Sequence, residues 1–183
     1  MPIITGTDVV RLYTDGGLVG HNPSSEGGTW AWCGLNMYGR RCRTGMGKIT
    51  PAALGMATVS NNLTEFLAAL HALEAMTDGW KGALATDSLV TRLRVQQSPK
   101  QAKLKNIPPG LCERLAQVKA RLGMYAVFLL GGHPSKRDLA QGCRQKDGMP
   151  VSVHNRWCDT QCKTLAKYFY YPLQEESHDQ SNL

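Results

Sequence analysis

The sequence predicts an α/β domain built on one five-stranded mixed sheet with helices on both faces. Two patterns carry this prediction. Three β-prone segments joined by short turns come first, and segments with helical periodicity then alternate with two further short apolar strands. The chain has 183 residues, which is enough for one domain with a proper core and too few for two ordinary domains.

The first three strands are expected to pair as an antiparallel meander, because short turns join antiparallel neighbours. Residues 9–14 are rich in β-prone side chains and run into Asp15-Gly16-Gly17, a turn signal. A loop rich in Gly, Ser, Asn and Pro follows over residues 18–28. The second and third strands are predicted over residues 29–37 and about 41–49.

The rest of the chain alternates between helices and strands, which predicts the mixed sheet. In the first helix, Phe66, Leu70 and Leu73 fall at spacings of four and three. The fifth strand is uniformly apolar, as expected of a central strand covered on both faces. The predicted elements are a helix over 63–77, a strand over 82–86, helices over about 88–96 and 110–122, a strand over 125–130, an irregular segment over 131–154 and a helix over about 155–169. We expect residues 1–173 to form a single domain and the polar residues 174–183 to be a disordered tail.

Charge and cysteine content narrow the class of protein only slightly. The formal net charge of +7 favours an anionic partner, although basic proteins without a nucleic-acid role are about as common. Six cysteines without a Cys-x-x-Cys motif indicate free thiols rather than a zinc site. No segment is suited to a signal peptide or a membrane span, and no exposed apolar stripe is evident, so we expect a cytoplasmic monomer with no membrane contact.

Four acidic residues stand where a carboxylate could serve either structure or chemistry. Asp15 follows the first strand and could simply form a turn. Glu65 could close a capping box with Asn62 as the N-cap. Asp87 could cap the helix after the fourth strand, and Asp159 could be an ordinary surface residue of the last helix. In one cleft, four carboxylates would repel one another strongly, and divalent cations are the natural remedy.

Taken together, these acids and their flanking residues resemble the active site of ribonuclease H type 1, over residues 8–169. The family places one carboxylate on the first strand, one on the first helix, one at the end of the fourth strand and one on the last helix. The matching motifs are Thr14-Asp15-Gly16-Gly17, Asn61-Asn62-Leu63-Thr64-Glu65, Ala85-Thr86-Asp87-Ser88 and Asn155-Arg156-Trp157-Cys158-Asp159.

The resemblance implies a ribonuclease H-like fold and two Mg²⁺ ions, for which Mn²⁺ can substitute. Their expected ligands are Asp15, Glu65, Asp87 and Asp159. Two divalent ions about 3.5–4 Å apart can activate a water and stabilise the leaving oxygen of a phosphodiester. The resemblance therefore implies a ribonuclease H that cuts the RNA strand of RNA–DNA hybrids and leaves 5′-phosphate and 3′-hydroxyl ends.

The same resemblance implies roles for the residues around the acids. Asn61 and Asn62 match a pair that contacts the hybrid in its minor groove, and Asn155 matches the Asn that helps to hold the attacking water and the scissile phosphate. His133 matches a loop histidine that assists proton transfer or product release, and His154 is its rival. A basic segment either grips the DNA strand or is simply solvated; it carries Lys100, Lys103 and Lys105.

Two departures from the family pattern leave alternatives open. Residues 134–153 replace a short loop, and they either contact nucleic acid or form a solvated excursion. Leu89 stands where the family often has a Gln beside the base pairs. The alternatives to a hybrid-specific ribonuclease are a DNA nuclease of the same fold, such as a junction resolvase or an exonuclease, and a non-catalytic nucleic-acid-binding module.

Overall fold

The computed structural model describes residues 8–98, 104 and 106–171, and one mixed sheet forms its centre. The strands are β1 (Arg11–Leu18), β2 (Gly28–Leu35), β3 (Arg41–Ile49), β4 (Ala83–Thr86) and β5 (Ala126–Leu129). Their order is β3-β2-β1-β4-β5. Pairing is antiparallel among the first three strands, and β4 lies parallel to both β1 and β5. The predicted five-stranded mixed sheet is therefore confirmed.

Helices cover both faces of this sheet, as predicted. They are α1 (Asn61–Glu74), α2 (Leu89–Val95), α3 (Pro109–Arg121), α4 (Lys136–Gln141) and α5 (Val153–Lys167), with one 3-10 turn at Ala52–Leu54. Adjacent strand residues point to opposite faces. In β1, Leu12 therefore joins the core formed with α1 and α3, whereas Tyr13 joins the smaller core beneath α5.

Glycines let two helices approach β1 very closely, on opposite faces of the sheet. A Cβ at Gly16 would lie 2.3 Å from the backbone nitrogen of Glu65 in α1. A Cβ at Gly17 would lie 3.2 Å from the Cβ of Cys162 in α5. Real side chains cannot occupy the first position without a backbone shift, so glycine here sets the distance between β1 and α1.

Three basic side chains satisfy the carboxyl-terminal ends of three helices. Arg121 donates to the backbone carbonyls of Leu73, Glu74 and Met76 at the end of α1. Lys119 donates to the carbonyls of Arg94 and Gln96 at the end of α2. Lys48 does the same for Tyr168, Phe169 and Tyr171 beyond α5. Cations are favourable there because the last carbonyls of a helix lack partners within it.

The first strand and the first helix differ from their predicted boundaries. β1 continues through Asp15 to Leu18, because the glycines after Asp15 pair with β2 and do not form a turn. The helix α1 begins at Asn61 with Ser60 as its N-cap, so the alternative in which Asn62 and Glu65 form a capping box does not occur. The Asn61 backbone N–H instead donates to the Asn22 Oδ1 at 3.3 Å, a contact from a distant loop that local pattern cannot reveal.

The end of the chain brings two further corrections. β5 is an edge strand and not a central one, and the side chain of Phe128 is 53% exposed because α5 packs over β1 and β2 instead. Residues 131–154 are not irregular throughout, since α4 forms within them. The predicted disordered tail begins beyond the described residues. No helix in the described part of the chain is long and apolar enough to cross a membrane.

Candidate metal centre

Three carboxylates meet where β1, the end of β4 and the start of α1 come together. The parallel register pairs Thr14 with Thr86, so the next residues, Asp15 and Asp87, lie side by side. Glu65 joins them from α1, which the small residue Gly16 allows to approach closely. One carboxylate oxygen from each of the three acids lies within 4.8 Å of the others. This separation is within the reach of a single divalent cation and its oxygen ligands.

The electrostatics of this cluster are unfavourable when its acids are ionised. Burial, and then the charges of Asp87 and Asp159, raise the pKa of Asp15 well above its ordinary value. A hydrogen bond of 2.8 Å from the Gly16 N–H to the Asp15 Oδ1 opposes that increase. Burial also raises the pKa values of Glu65 and Asp87. The nearby hydrogen bonds therefore do not fully offset the burial and mutual repulsion of these acids.

A cavity opens beside these three acids, and Asp159 lines it from α5. It lines the cavity together with Asp15, Asp87 and Asn155, and it stands apart from the three-acid group. Its Oδ2 accepts a hydrogen bond of 2.7 Å from the Lys163 Nζ, one helical turn further along. Because this ion pair is solvent-exposed, it holds Asp159 only weakly.

Two buried oxygen atoms at the centre are suited to a hard cation or to water. In the described part of the chain, neither the Asp87 Oδ1 nor the Asn155 Oδ1 has a hydrogen-bond partner. Buried polar atoms without a partner cost free energy, so each of these calls for a ligand. Together with the surrounding carboxylates they form an all-oxygen donor set, which is the set that Mg²⁺ and Mn²⁺ prefer. The residues present therefore fit divalent ions of this kind.

Asparagine side chains organise the side of the centre formed by α1. The Asn61 Nδ2 donates to the Glu65 Oε1 at 2.7 Å, which fixes the orientation of that carboxylate. Asn62 is exposed on the first turn, and its backbone carbonyl accepts a bond of 3.0 Å from the Arg94 guanidinium. Both asparagines thus lie beside the acids, where a bound polymer could reach Asn62 directly.

The two candidate histidines lie in different places. His133 is exposed and lines the cavity that contains Asp15, Asp87 and Asp159. His154 is half-buried, and its ring lies 5.4 Å from that of Tyr13, a residue of the core beneath α5. Burial, with Arg41 nearby, lowers the pKa of His154. Of the two, His133 is therefore the one that lines the cavity beside the acids.

The basic segment and Leu89 are the remaining features that the sequence singled out. The lysines of the basic segment, Lys100, Lys103 and Lys105, lie outside the described residues. Leu89 is 52% exposed at the start of α2, two residues beyond Asp87 in the sequence.

Sequence reasoning missed one residue of the site, Lys163, and one residue that supports it, Asn22. Lys163 lines the cavity around the acids. Its spacing of four from Asp159 in a helix was a sequence signal that predicts contact between the two side chains. Asn22 anchors the start of α1 from the loop before β2, and no local pattern in the sequence points to that contact.

Comparison with known proteins identifies the fold. No family model matches the sequence, and a search of curated proteins found no match either. Among solved structures, the RNase H1 of the halophilic archaeon Halobacterium salinarum NRC-1 is similar, with 19% identity, 67% of this chain and 86% of that chain covered, and a TM-score of 0.50. The N-terminal RNase H domain of a Mycobacterium tuberculosis protein, solved as a fusion with maltose-binding protein, has 11% identity, coverage of 87% and 99%, and a TM-score of 0.51. At such identities the likeness concerns the fold alone, and the predicted ribonuclease H-like fold is confirmed.

Proposed function

We propose that this chain of ribonuclease H-like fold is a metal-dependent endoribonuclease that cuts the RNA strand of RNA–DNA hybrids. One observation carries the proposal. Carboxylates from β1, from α1, from the end of β4 and from α5 line one open cavity, and buried oxygens there lack partners. A purely structural site has no physical reason to collect mutually repelling acids.

Asp15, Glu65, Asp87 and Asp159 would hold two divalent ions, Mg²⁺ with Mn²⁺ as a substitute. When bound, such ions lower the pKa of an attacking water and stabilise charge on the scissile phosphate and the leaving oxygen. Attack of water on the scissile phosphorus, with cleavage of the bond to the 3′-oxygen, would give products with 5′-phosphate and 3′-hydroxyl ends. The exposed placement of the cavity supports a polymeric substrate, since a long duplex needs an open surface.

Other residues of the chain would orient the reactants. The unpartnered Asn155 Oδ1 would accept a hydrogen bond from the attacking water. His133, exposed at the cavity, would exchange a proton with the leaving 3′-oxygen or release the product. Asn61 and Asn62 would face the minor groove, where ribose 2′-hydroxyls distinguish RNA from DNA.

A cleavage panel tests this function. The substrates are an end-labelled RNA–DNA hybrid and, with the same sequence, double-stranded DNA, double-stranded RNA and single-stranded RNA. Each is incubated with Mg²⁺, Mn²⁺ or EDTA, and Asp15→Asn is the matched control. We expect metal-dependent cutting of the RNA strand of the hybrid alone.

The other outcomes identify the alternatives. Cutting of DNA would make the chain a DNA nuclease of the same fold. Binding of the hybrid without any cutting would make it a non-catalytic module. Equal activity in Asp15→Asn would remove the acids from the chemistry.

A further inference from the structure

The segment between His133 and α5 is built as a folded unit and not as a loose loop. Ser135 and Asp138 form a reciprocal capping box at the start of α4, and Asp138 is buried. The other carboxylate oxygen of Asp138 accepts a hydrogen bond of 2.9 Å from the Gln145 N–H. This bond connects the start of α4 to the turn that follows the helix. The unit therefore has its own internal hydrogen bonds, which a solvated excursion does not need.

Arg144 connects this unit to the backbone beside the metal centre. Its Nη1 donates to the Gly132 carbonyl at 3.0 Å. Its Nε donates to the Asp147 Oδ1 at 2.9 Å, and its Nη2 donates to the other oxygen of the same carboxylate. The guanidinium is thus fixed as a planar fork between Asp147 and Gly132, a geometry that lysine cannot reproduce.

Backbone contacts reinforce the same connection from both sides. The Gly131 N–H donates to the Pro150 carbonyl at 2.8 Å, and the Arg144 N–H donates to the Met149 carbonyl at 2.7 Å. On the side of α5, the Arg156 Nη1 donates to the Pro134 carbonyl at 3.1 Å. The residues that flank His133 are consequently held on both sides.

The backbone at Gly132 and His133 adopts a conformation that its surroundings must hold in place. His133 has a φ of 50°, in the left-handed region that costs a residue with a side chain about 1 kcal/mol or more. A Cβ at Gly132 would lie 2.9 Å from the Asp87 Oδ2, so a side chain at this position would force the Asp87 carboxylate to move. A left-handed residue persists in such a place only where the surroundings hold it.

We propose that Arg144 is a positioning residue, which fixes the Gly132–His133 backbone against Asp87 so that the His133 side chain is held at the cavity. This inference rests on the proposed function and extends it to residues 134–153, which become a brace for His133. The brace acts through the peptide of Gly132, and Arg144 itself need not touch the substrate.

The test is a double-mutant cycle with His133→Ala, Arg144→Ala and the double variant. Single-turnover cleavage of the hybrid and hybrid affinity are measured for each, together with the melting temperature. We expect Arg144→Ala to lower the cleavage rate roughly tenfold with unchanged affinity, because displacing a positioned group costs rate. The double variant should be no slower than His133→Ala, since both substitutions remove the same function.

Two further variants calibrate the cycle. Arg137→Ala removes an exposed cation of α4 and should leave the cleavage rate unchanged. Asp147→Asn keeps the shape of the side chain but weakens its paired hydrogen bonds with Arg144, so it should lower the cleavage rate less than Arg144→Ala does. It replaces Arg144→Ala in the cycle if that variant does not fold. Weaker hybrid binding in Arg144→Ala, a double variant that loses the product of both effects, or a wild-type rate in His133→Ala would each overturn the proposal.

Amide hydrogen exchange of the metal-free protein tests the brace without any activity. Arg144→Ala should accelerate exchange in a peptide that covers residues 130–135 and leave α1 unchanged. Unaltered exchange in that peptide overturns the proposal. If the wild-type protein cuts no hybrid, the proposed function fails, and this exchange measurement still decides whether Arg144 holds the His133 backbone.

Discussion

At the carboxyl-terminal ends of α1, α2 and α5, basic side chains donate hydrogen bonds to backbone carbonyls. Around Asp15, in contrast, carboxylates lie close to other carboxylates. Arg121 contacts three carbonyls at the end of α1, so its charge is satisfied within the fold. Burial and neighbouring acids instead raise the pKa of Asp15. The difference separates charges that are satisfied within the fold from charges that a bound cation or a proton would compensate.

Replacing an acid at the centre should have the largest effect on hybrid cleavage. A small effect would contradict the contrast between structural cations and site acids. We expect Asp15→Asn to reduce hybrid cleavage at saturating Mg²⁺ by about a hundredfold or more, because one ligand and one charge are lost. Initial rates with wild type measured in parallel check this. A variant that retains more than a tenth of the wild-type rate would contradict the assignment of the site.

Removing a capping cation should destabilise the fold and leave the chemistry intact. Arg121→Ala removes the side-chain donor of the part-buried Glu74 and Met76 carbonyls at the end of α1, which should cost about 1–3 kcal/mol of the free energy of unfolding. The Leu73 carbonyl keeps the Met76 N–H as a donor. Urea denaturation measures the change, and Arg40→Ala, an exposed arginine, is the control with an expected change below about 0.5 kcal/mol. Equal losses in the two variants would show that the contacts to α1 carry no stability.

The stability of the metal-free protein should depend on pH because of the raised pKa values of the acids. Asp15, Glu65 and Asp87 have pKa values raised in the folded state, so the folded protein binds more protons than the unfolded chain. Their contribution to stability is complete below the ordinary carboxyl pKa of about 4 and is lost as the pH rises through the raised values.

Thermal unfolding in EDTA across this range measures the effect. At pH 8 without metal, Asp15→Asn should melt at a higher temperature than wild type, and this advantage should disappear near pH 4. Saturating Mg²⁺ should stabilise wild type more than the variant. A lower melting temperature for Asp15→Asn at pH 8 in EDTA would mean that the cluster is balanced without metal.

The smallest effect is expected at the boundary between the two kinds of charge. Lys163 pairs with Asp159 one turn away, and its side chain is 68% exposed. Lys163→Met should therefore change the free energy of unfolding by only about 0.3–0.5 kcal/mol. Urea denaturation in EDTA measures this, and a loss above about 1 kcal/mol would place Lys163 among the structural cations.

Most of the fold was predictable because it rests on local periodicity. The stripe of Phe66, Leu70 and Leu73 is fully buried, and the third strand has its predicted bounds. The edge position of β5 was not predictable, because a uniformly apolar strand does not reveal which neighbours cover it. The N-terminal boundary of α1 was missed because Asn22 supplies its partner from a distant loop.

The candidate site was predictable as a set of acids and less so as a geometry. Asp15, Glu65 and Asp87 meet because the β1–β4 register and the close approach of α1 bring them together. The brace around Arg144 depends on contacts with Gly132 and Asp147 that no sequence period encodes. The unpartnered oxygens of the centre likewise emerge only from packing.

Titration calorimetry with Mg²⁺ tests the central claim most directly, because it asks whether the uncompensated charge is a metal site. Wild type, Asp15→Asn and Arg121→Ala are titrated at the same pH. We predict binding in wild type and Arg121→Ala, with binding at least tenfold weaker in Asp15→Asn. Equal binding in all three proteins, or none in wild type, would contradict the account.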